Sequence, residues 1–523
     1  MKRLFRVGFA AVALVFWLVV LALGLEVWER WRWERVGKTN PFVLSRVRQT
    51  GWPLAAPDDF SLELTDPALR AARRGAGQSA QPDQPVPDDR VFLANRAAHF
   101  QRLAHWERFI VCDIYRVSAW LTDGRGNVDK AYSESDYTGG KVLDAFVPAA
   151  DASRLTGLVQ SVAAGGAPAF VEAGNPAQGP PWYYVAQCDD PGEKMAGAKG
   201  EPPYALVLAP RPAPATEASP ESLWDVDFYS YKPHTRRADQ RNVLGVLEDF
   251  QVNNLGFRDD DVILPKPAGV RRIVCIGAST TEEGPTNDVT YPNILEALLN
   301  EHDGTNRYDV VNAGVSGMNS LKHKFKTADY LALQPDVAVI YNAVNDICHD
   351  LFPMWIKDAP PLKKRLRESR FVNMWFNGRL MPDEAQMAAD IRASKISSLR
   401  AIAEILRGAG VEVVFCTFAA PDPGVLSRDE RNYYEYYTRL EWGGRYAGFD
   451  SYLRALRVFN REIEGLAREL GAPCIPVAAE VTGGTAVFGD ICHMKNRGIE
   501  KKARVIMRHL LPLLEDAAEA GVS

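Results

Sequence analysis

The chain has 523 residues, which at roughly 150 residues per domain suggests about three to four units and ample length for large buried cores. Apolar residues make up 46% and charged residues 24%, ordinary globular usage that excludes collagen-like, wholly disordered and polytopic membrane classes. Lys and Arg number 61 against 66 Asp and Glu, a net charge of −5, and this mild acidic excess argues against a nucleic-acid partner.

Residues Val7 to Leu25 form a run of 19 residues without a charge, preceded by Lys2, Arg3 and Arg6. At 1.5 Å per residue the run matches a bilayer core of about 30 Å, so one membrane-spanning helix is predicted within residues 1–28. Ala22-Leu23-Gly24 is only a weak cleavage site, and the segment reads as a retained single-pass anchor. Arg30, Arg32, Arg35 and Lys38 nearly balance the N-terminal positive charges. The orientation favoured is N-terminus inside, with the body extracytoplasmic.

Two stretches rich in Pro, Ala, Ser and Gly, Arg73 to Arg90 and Pro210 to Ser222, read as linkers. They divide the chain into an anchor (1–28), a juxtamembrane segment and linker (29–90), a small domain (91–209), a second linker (210–224) and a C-terminal domain with a lead-in segment (225–523). The small domain opens with a helical pattern from Val91 to Phe109. Strand-like runs follow at Val117 to Leu121, Trp182 to Ala186 and Tyr204 to Leu208, with a turn from Asp123 to Asn127 and a helix from Asp151 to Ala163. This is an α+β pattern; its order resembles a PAS-like sensor domain, and an α+β spacer without a ligand fits equally.

From Arg271 short apolar strands alternate with amphipathic helices. Strands are predicted at Ile273 to Ile276, Asp309 to Asn312, Val337 to Tyr341, Val411 to Phe415 and Cys474 to Val477, and helices at Tyr291 to His302, Ile391 to Leu406, Tyr452 to Leu470 and Gly498 to Leu511. The alternation predicts a doubly wound α/β/α parallel sheet of flavodoxin-like kind, covered on both faces. Ligands bind such sheets beyond the carboxyl ends of the strands, so the residues just after each strand carry the chemical reading.

The first strand is followed by Gly277-Ala278-Ser279-Thr280-Thr281, with a serine at a strand-to-helix turn. Alone this is as well explained by helix capping. The second is followed by Asn312-Ala313-Gly314-Val315-Ser316-Gly317, whose glycines can aim a backbone N–H at a developing oxyanion. The third is followed by Asn342-Ala343-Val344-Asn345-Asp346, offering the Asn345 amide at the same edge. Before the terminal helix stands Asp490-Ile491-Cys492-His493, where a carboxylate three residues before a histidine can orient its ring for proton transfer.

In this joint order the sequence resembles the SGNH hydrolases, also called GDSL-like lipases and acylhydrolases, over about 240 residues. The lead-in Asn253 to Arg258, with Lys266-Pro267 and Arg272-Ile273, resembles the approach segment of bacterial membrane-anchored members. The resemblance implies that Ser279 attacks a carbonyl, His493 takes and returns the proton and Asp490 orients the ring. It also implies an oxyanion hole formed by the N–H groups of Ser279 and Gly317 and the Asn345 amide. The family's usual Gly-Asp-Ser is Gly277-Ala278-Ser279 here; the missing aspartate is not a triad member.

The seven cysteines and eight histidines show no CxxC pair and no zinc-like spacing, so neither a metal nor a cofactor is expected. Cys275 and Cys416 read as buried thiols. Cys348 and Cys492 lie near the catalytic positions, where a bracing disulfide is conceivable, and His349 reads as a wall or packing residue. Two insertions follow strands on the active-site side: Cys348 to Ala389, with Met354-Trp355 and Met374-Trp375-Phe376, and Ala419 to Phe449, with Tyr433, Tyr434, Tyr436, Tyr437, Trp442 and Tyr446. Their aromatics read as packed side chains or as a platform for sugars or acyl chains; Arg439 and Arg445 read as solvated charges or anion contacts.

The function expected is that of a serine esterase acting on acyl esters, O-acetyl groups in particular, of an envelope or exported polysaccharide or a lipid. An O-acyltransferase using the same triad and a non-catalytic membrane-anchored sensor or scaffold are the alternatives.

Overall fold

A computed structural model describes residues 2–49, 90–115, 117–123, 125–132, 141–174, 180–188, 204–211, 231–242, 244, 246–438 and 448–520. Apart from Arg90, Pro210 and Arg211, the two expected linkers lie outside the described residues, as do Arg439, Trp442, Arg445 and Tyr446.

The N-terminal region forms one helix, Lys2–Thr39, followed by a second, Pro41–Gln49. Among the described residues no helix is long and apolar enough to cross a membrane. Val7 to Val12, where the expected span begins, lie outside the residues whose side chains are described. The described part presents an outward apolar surface, with Leu14, Phe16, Trp17 and Leu23 all exposed. Beyond it the helix docks on the body, where Glu29 and Trp33 are buried and bonded to each other at 2.7 Å.

Among the described residues the small domain has six strands: β1 (Val117–Thr122), β2 (Asn127–Ala131), β3 (Lys141–Val142), β4 (Ala169–Glu172), β5 (Trp182–Cys188) and β6 (Tyr204–Pro210). They form one antiparallel sheet in the order β3-β2-β1-β6-β5-β4. Side chains alternate between two cores, as the two-residue period of a strand requires. On β5, Trp182, Tyr184 and Ala186 face the helices Arg90–Gln101 and His105–Ile114, whereas Tyr183 and Val185 face the helix Ala149–Ala163. The helix expected from Val91 to Phe109 is therefore two helices, broken at residues 102–104. The first core continues into the C-terminal region through Phe325 and Ala328, where Tyr115 Oη donates to the Phe325 carbonyl at 2.6 Å.

A polar hairpin, β7 (Arg236–Arg241) and β8 (Leu247–Gln251), leads into the second sheet. That sheet comprises β9 (Arg271–Gly277), β10 (Tyr308–Gly314), β11 (Val337–Tyr341), β12 (Glu412–Cys416) and β13 (Cys474–Ile475), all parallel, in the order β10-β9-β11-β12-β13. Continuous burial along β9 and β11 reflects coverage on both faces. The last strand stops at Ile475, and Val477, expected within it, instead opens a short helix, Val477–Glu480. Within this sheet the first strand, β9, lies between the second and third, so the order reverses there, the position beyond whose carboxyl end such sheets bind ligands.

Candidate active site

Register brings three loops to one edge. Gly277 pairs with Gly314 of β10 and Tyr341 of β11, so the residues that follow all three strands emerge at the same level. The turn from β9 into the helix Ser279–Glu282 is too tight for a side chain at its start. A Cβ on Gly277 would lie 2.0 Å from Thr281 Oγ1 and 2.7 Å from the Tyr341 carbonyl. Ala278 is buried in the apolar core, an environment that favours a methyl over an unpaired carboxylate and accounts for the Gly-Ala-Ser variation.

Asp490 and His493 sit on a tight loop closed by the Gly489 N–H donating to the His493 carbonyl at 2.8 Å. Asp490 Oδ1 accepts from the backbone N–H groups of Cys492 and His493 at 2.9 and 2.7 Å, leaving Oδ2 for His493 Nδ1 at 2.8 Å. On the other side of the ring, His493 Nε2 lies 2.9 Å from Ser279 Oγ. The file Asp490–His493–Ser279 thus joins residues 214 positions apart at hydrogen-bond distances, an arrangement able to draw a proton from a serine as it attacks.

Asp490, Cys492 and His493 also present possible metal-ligand atoms within 4.8 Å of one another. Here Asp490 Oδ2 and His493 Nδ1 face each other at hydrogen-bond distance, and burial raises the Cys492 thiol well above its usual range, keeping it protonated. This donor set fits a hydrogen-bonded dyad. All seven cysteines are free thiols, Cys348 and Cys492 among them, which corrects the conceivable disulfide.

The remaining two expected residues meet through Met318. Gly317 adopts a left-handed conformation with φ of 77°, open to glycine at no steric cost. Asn345, nearly buried, donates from Nδ2 to the Met318 carbonyl at 2.7 Å. Beneath these loops, Asp346 is fully buried, accepting from Ser320 Oγ at 2.7 Å and Asn342 Nδ2 at 2.6 Å, with Lys395 Nζ 3.6 Å away. Burial pushes the Asp346 carboxyl up to about 6.

Several supporting residues carried no sequence signal of their own. Tyr231 Oη donates to Glu282 Oε2 at 2.7 Å and accepts from the Ser316 N–H at 3.1 Å, tying the serine's helix to the Gly317 loop. Arg258, fully buried in the lead-in, donates to the Glu282 carbonyl at 2.8 Å. The adjacent Glu283 reaches the opposite way, accepting from Lys502 Nζ and from the Met494 N–H, both at 2.7 Å. Burial pushes Glu282 up to about 7, and raises Glu283 while lowering Lys502, each member of that pair being held against the shift by the other's charge.

Of the flanking residues, Cys348 is buried whereas His349 is exposed on the short π-helix Asp346–Leu351. Tyr433, Tyr434 and Tyr437 are packed, and Tyr433 and Tyr434 donate to the Gly489 and Phe488 carbonyls just before Asp490. Trp355 is buried, but Trp375 and Phe376 are exposed.

Residues 275–498 match the GDSL-like Lipase/Acylhydrolase family, and that match defines the class: the C-terminal region is an SGNH-type domain and the protein is an ester-hydrolysing enzyme. The match covers residues 275–498 and describes that part of the chain as a GDSL-like lipase/acylhydrolase domain. Solved structures with some likeness include a putative GDSL-like lipase from Parabacteroides merdae, 17% identical over 46% of this chain and 94% of that one, TM-score 0.31. An acetyl xylan esterase from Geobacillus stearothermophilus is 17% identical over 46% of this chain and 96% of its own, TM-score 0.30. A GDSL-like lipase from Bacteroides thetaiotaomicron is 14% identical over 49% and 93%, TM-score 0.28. No curated protein matches the sequence significantly. The assignment of the C-terminal domain rests on the match over residues 275–498.

Proposed function

We propose that the protein is a membrane-anchored serine esterase that removes acyl groups, O-acetyl groups in particular, from an envelope or exported polysaccharide, with its catalytic domain extracytoplasmic. The observation that carries the catalytic reading is the Asp490–His493–Ser279 file, with Nε2 at 2.9 Å from Oγ. The polysaccharide substrate follows from the proposed orientation of the anchor. The division into anchor, juxtamembrane segment, PAS-like domain and hydrolase domain belongs to the same reading.

Ser279 Oγ attacks the ester carbonyl carbon as its proton passes to His493 Nε2, giving a tetrahedral oxyanion. Asp490 holds the ring by Nδ1 and stabilises the imidazolium. The oxyanion is met by the Ser279 and Gly317 N–H groups and the Asn345 amide. Collapse breaks the ester C–O bond, and the departing alkoxide takes the proton from Nε2. Water then attacks the acyl-serine, giving one proton to His493, and the second collapse passes that proton to Ser279 Oγ and releases the carboxylic acid, which ionises in solvent.

The test is release of p-nitrophenol from acetate and butyrate esters by the full chain in detergent, beside Ser279→Ala and His493→Ala. Loss of release in both variants is expected, with acetate the better substrate. Release undiminished by Ser279→Ala would contradict the mechanism. Acyl transfer to an added glycan in preference to water would identify an acyltransferase.

A further inference from the structure

Large apolar side chains exposed to solvent are not scattered evenly over this protein. All but five of those among the described residues lie on the N-terminal helix or at Leu362, Leu366, Trp375 and Phe376 of the insertion after β11. Scattered exposed hydrophobes are ordinary; a contiguous group marks a surface that meets something.

The two segments touch through specific bonds. Trp28 and Trp375 stack with centroids 6.4 Å apart, and the Arg32 guanidinium lies 5.6 Å from each ring. Glu26 accepts from Ser369 Oγ at 2.9 Å and from the N–H groups of Arg370 and Phe371 at 3.1 Å, fixing the start of the helix Arg370–Leu380 against the N-terminal helix. Trp375 Nε1 donates to Glu29 at 3.2 Å. The insertion is therefore seated where the apolar run of the N-terminal helix ends.

The charge of its two central helices is mostly positive. Residues 361–380 carry six Lys or Arg against one acidic side chain, in a chain whose net charge is −5. Within the helix Pro361–Glu368, Leu362 and Leu366 are four apart and share a face, exposed by 69% and 39%. Lys363, Lys364 and Arg365 lie between them, in no ion pair among the described residues. Exposed tryptophan beside leucine and clustered base is the composition that lies in a bilayer interface: indoles sit at headgroup depth, and Lys and Arg meet anionic headgroups.

We infer that the insertion's helices Pro361–Glu368 and Arg370–Leu380 are a lipid-binding surface that lies on an anionic bilayer beside the N-terminal helix, with Leu362, Leu366, Trp375 and Phe376 entering the headgroup region. This rests on the membrane-anchored reading. It adds to it that the hydrolase domain lies against the lipid surface, in an orientation set by the insertion that directly follows Asn345 and Asp346.

The test uses the full chain with Cys474, the one cysteine that is not buried, changed to Ser. A nitrobenzoxadiazole label is placed at Leu366→Cys or, as control, at Val142→Cys, an exposed position on the small sheet. Protein is reconstituted into vesicles of phosphatidylcholine with phosphatidylglycerol, recovered by flotation in high salt, and quenched by nitroxide lipids labelled near the headgroup or deep in the chain. The expected result is flotation of both proteins, with quenching at position 366 several-fold stronger than at 142 and stronger for the shallow nitroxide. Lys363→Glu/Lys364→Glu/Arg365→Glu should still float while losing most of that quenching. Flotation with an unquenched, water-like label at 366 overturns the surface and leaves the anchor standing. Failure to float overturns the anchor, and the surface with it. A blue-shifted but unquenched label means that protein, such as a second copy of the chain, covers the surface, and also overturns the inference.

Discussion

Lys502 donates to Glu283 at 2.7 Å and to the Thr280 carbonyl at 2.6 Å, while the same Glu283 carboxylate takes the Met494 N–H. One buried ion pair therefore grips the residue after Ser279 and the residue after His493. Its ammonium also lies 4.5 and 4.8 Å from the Tyr291 and Tyr341 rings. Removing one partner leaves an uncompensated buried charge, typically about 3–5 kcal/mol. Lys502→Met should lower the unfolding temperature markedly in calorimetry. The paired variant Glu283→Leu/Lys502→Met should recover much of that stability, yet keep a reduced kcat with KM near wild type, because serine and histidine are no longer set in register.

Asn345 already gives one hydrogen bond to the Met318 carbonyl at 2.7 Å, an anchor that keeps its amide aimed. Losing one oxyanion donor typically costs about 2.7–4 kcal/mol, so Asn345→Ala should reduce turnover by about two to three decades. Steady-state kinetics on p-nitrophenyl acetate, with circular dichroism to confirm folding, checks this.

Tyr231 acts at one remove. Its hydroxyl joins Glu282 to the Ser316 N–H, the peptide before Gly317. Tyr231→Phe keeps the ring and removes the bridge; the misplaced oxyanion loop should lower kcat about tenfold, equivalent to about 1.4 kcal/mol. KM should change little. An equal rise in KM with unchanged kcat would mean that Tyr231 serves substrate binding instead.

Glu282 sets a pH dependence. Its carboxyl is raised by burial to about 7 from an ordinary value of 4.5, so between those values the folded state holds a proton that the unfolded chain has released. Its contribution is fully present below about pH 4.5 and is lost as pH rises through 7, on the order of 3 kcal/mol. Asp346, raised to about 6, acts in the same direction. Comparing urea unfolding at pH 5 and pH 8, Glu282→Gln should gain on wild type by roughly that amount at the higher pH, since the amide has no proton to lose.

What the sequence made legible was what local pattern encodes. Continuous apolar runs such as Ile273 to Ile276 and Val337 to Tyr341 mark strands buried on both faces, and parallel register then forces Ser279, Gly317 and Asn345 to one edge. Asp490 and His493 were legible because three residues suffice for the contact. The clamps were not: Glu283 and Lys502 are 219 positions apart, and an isolated lysine in an amphipathic helix reads as a solvated charge. The polar strands β7 and β8 lack apolar alternation, and β2 to β4 are short, so pairing in the folded sheet decides them. The basic face of residues 361–370 was diluted by the acidic balance of the whole chain.

The most direct measurement of the central claim, that Ser279 is the nucleophile activated by His493, is covalent capture. The full chain in detergent is treated with a fluorophosphonate and read by intact and peptide mass spectrometry. One phosphonyl group on the peptide containing Ser279 is the expected result, abolished in Ser279→Ala and slowed by several orders of magnitude in His493→Ala. Folded protein that stays unlabelled, or that carries the group on another residue with Ser279 intact, would contradict it.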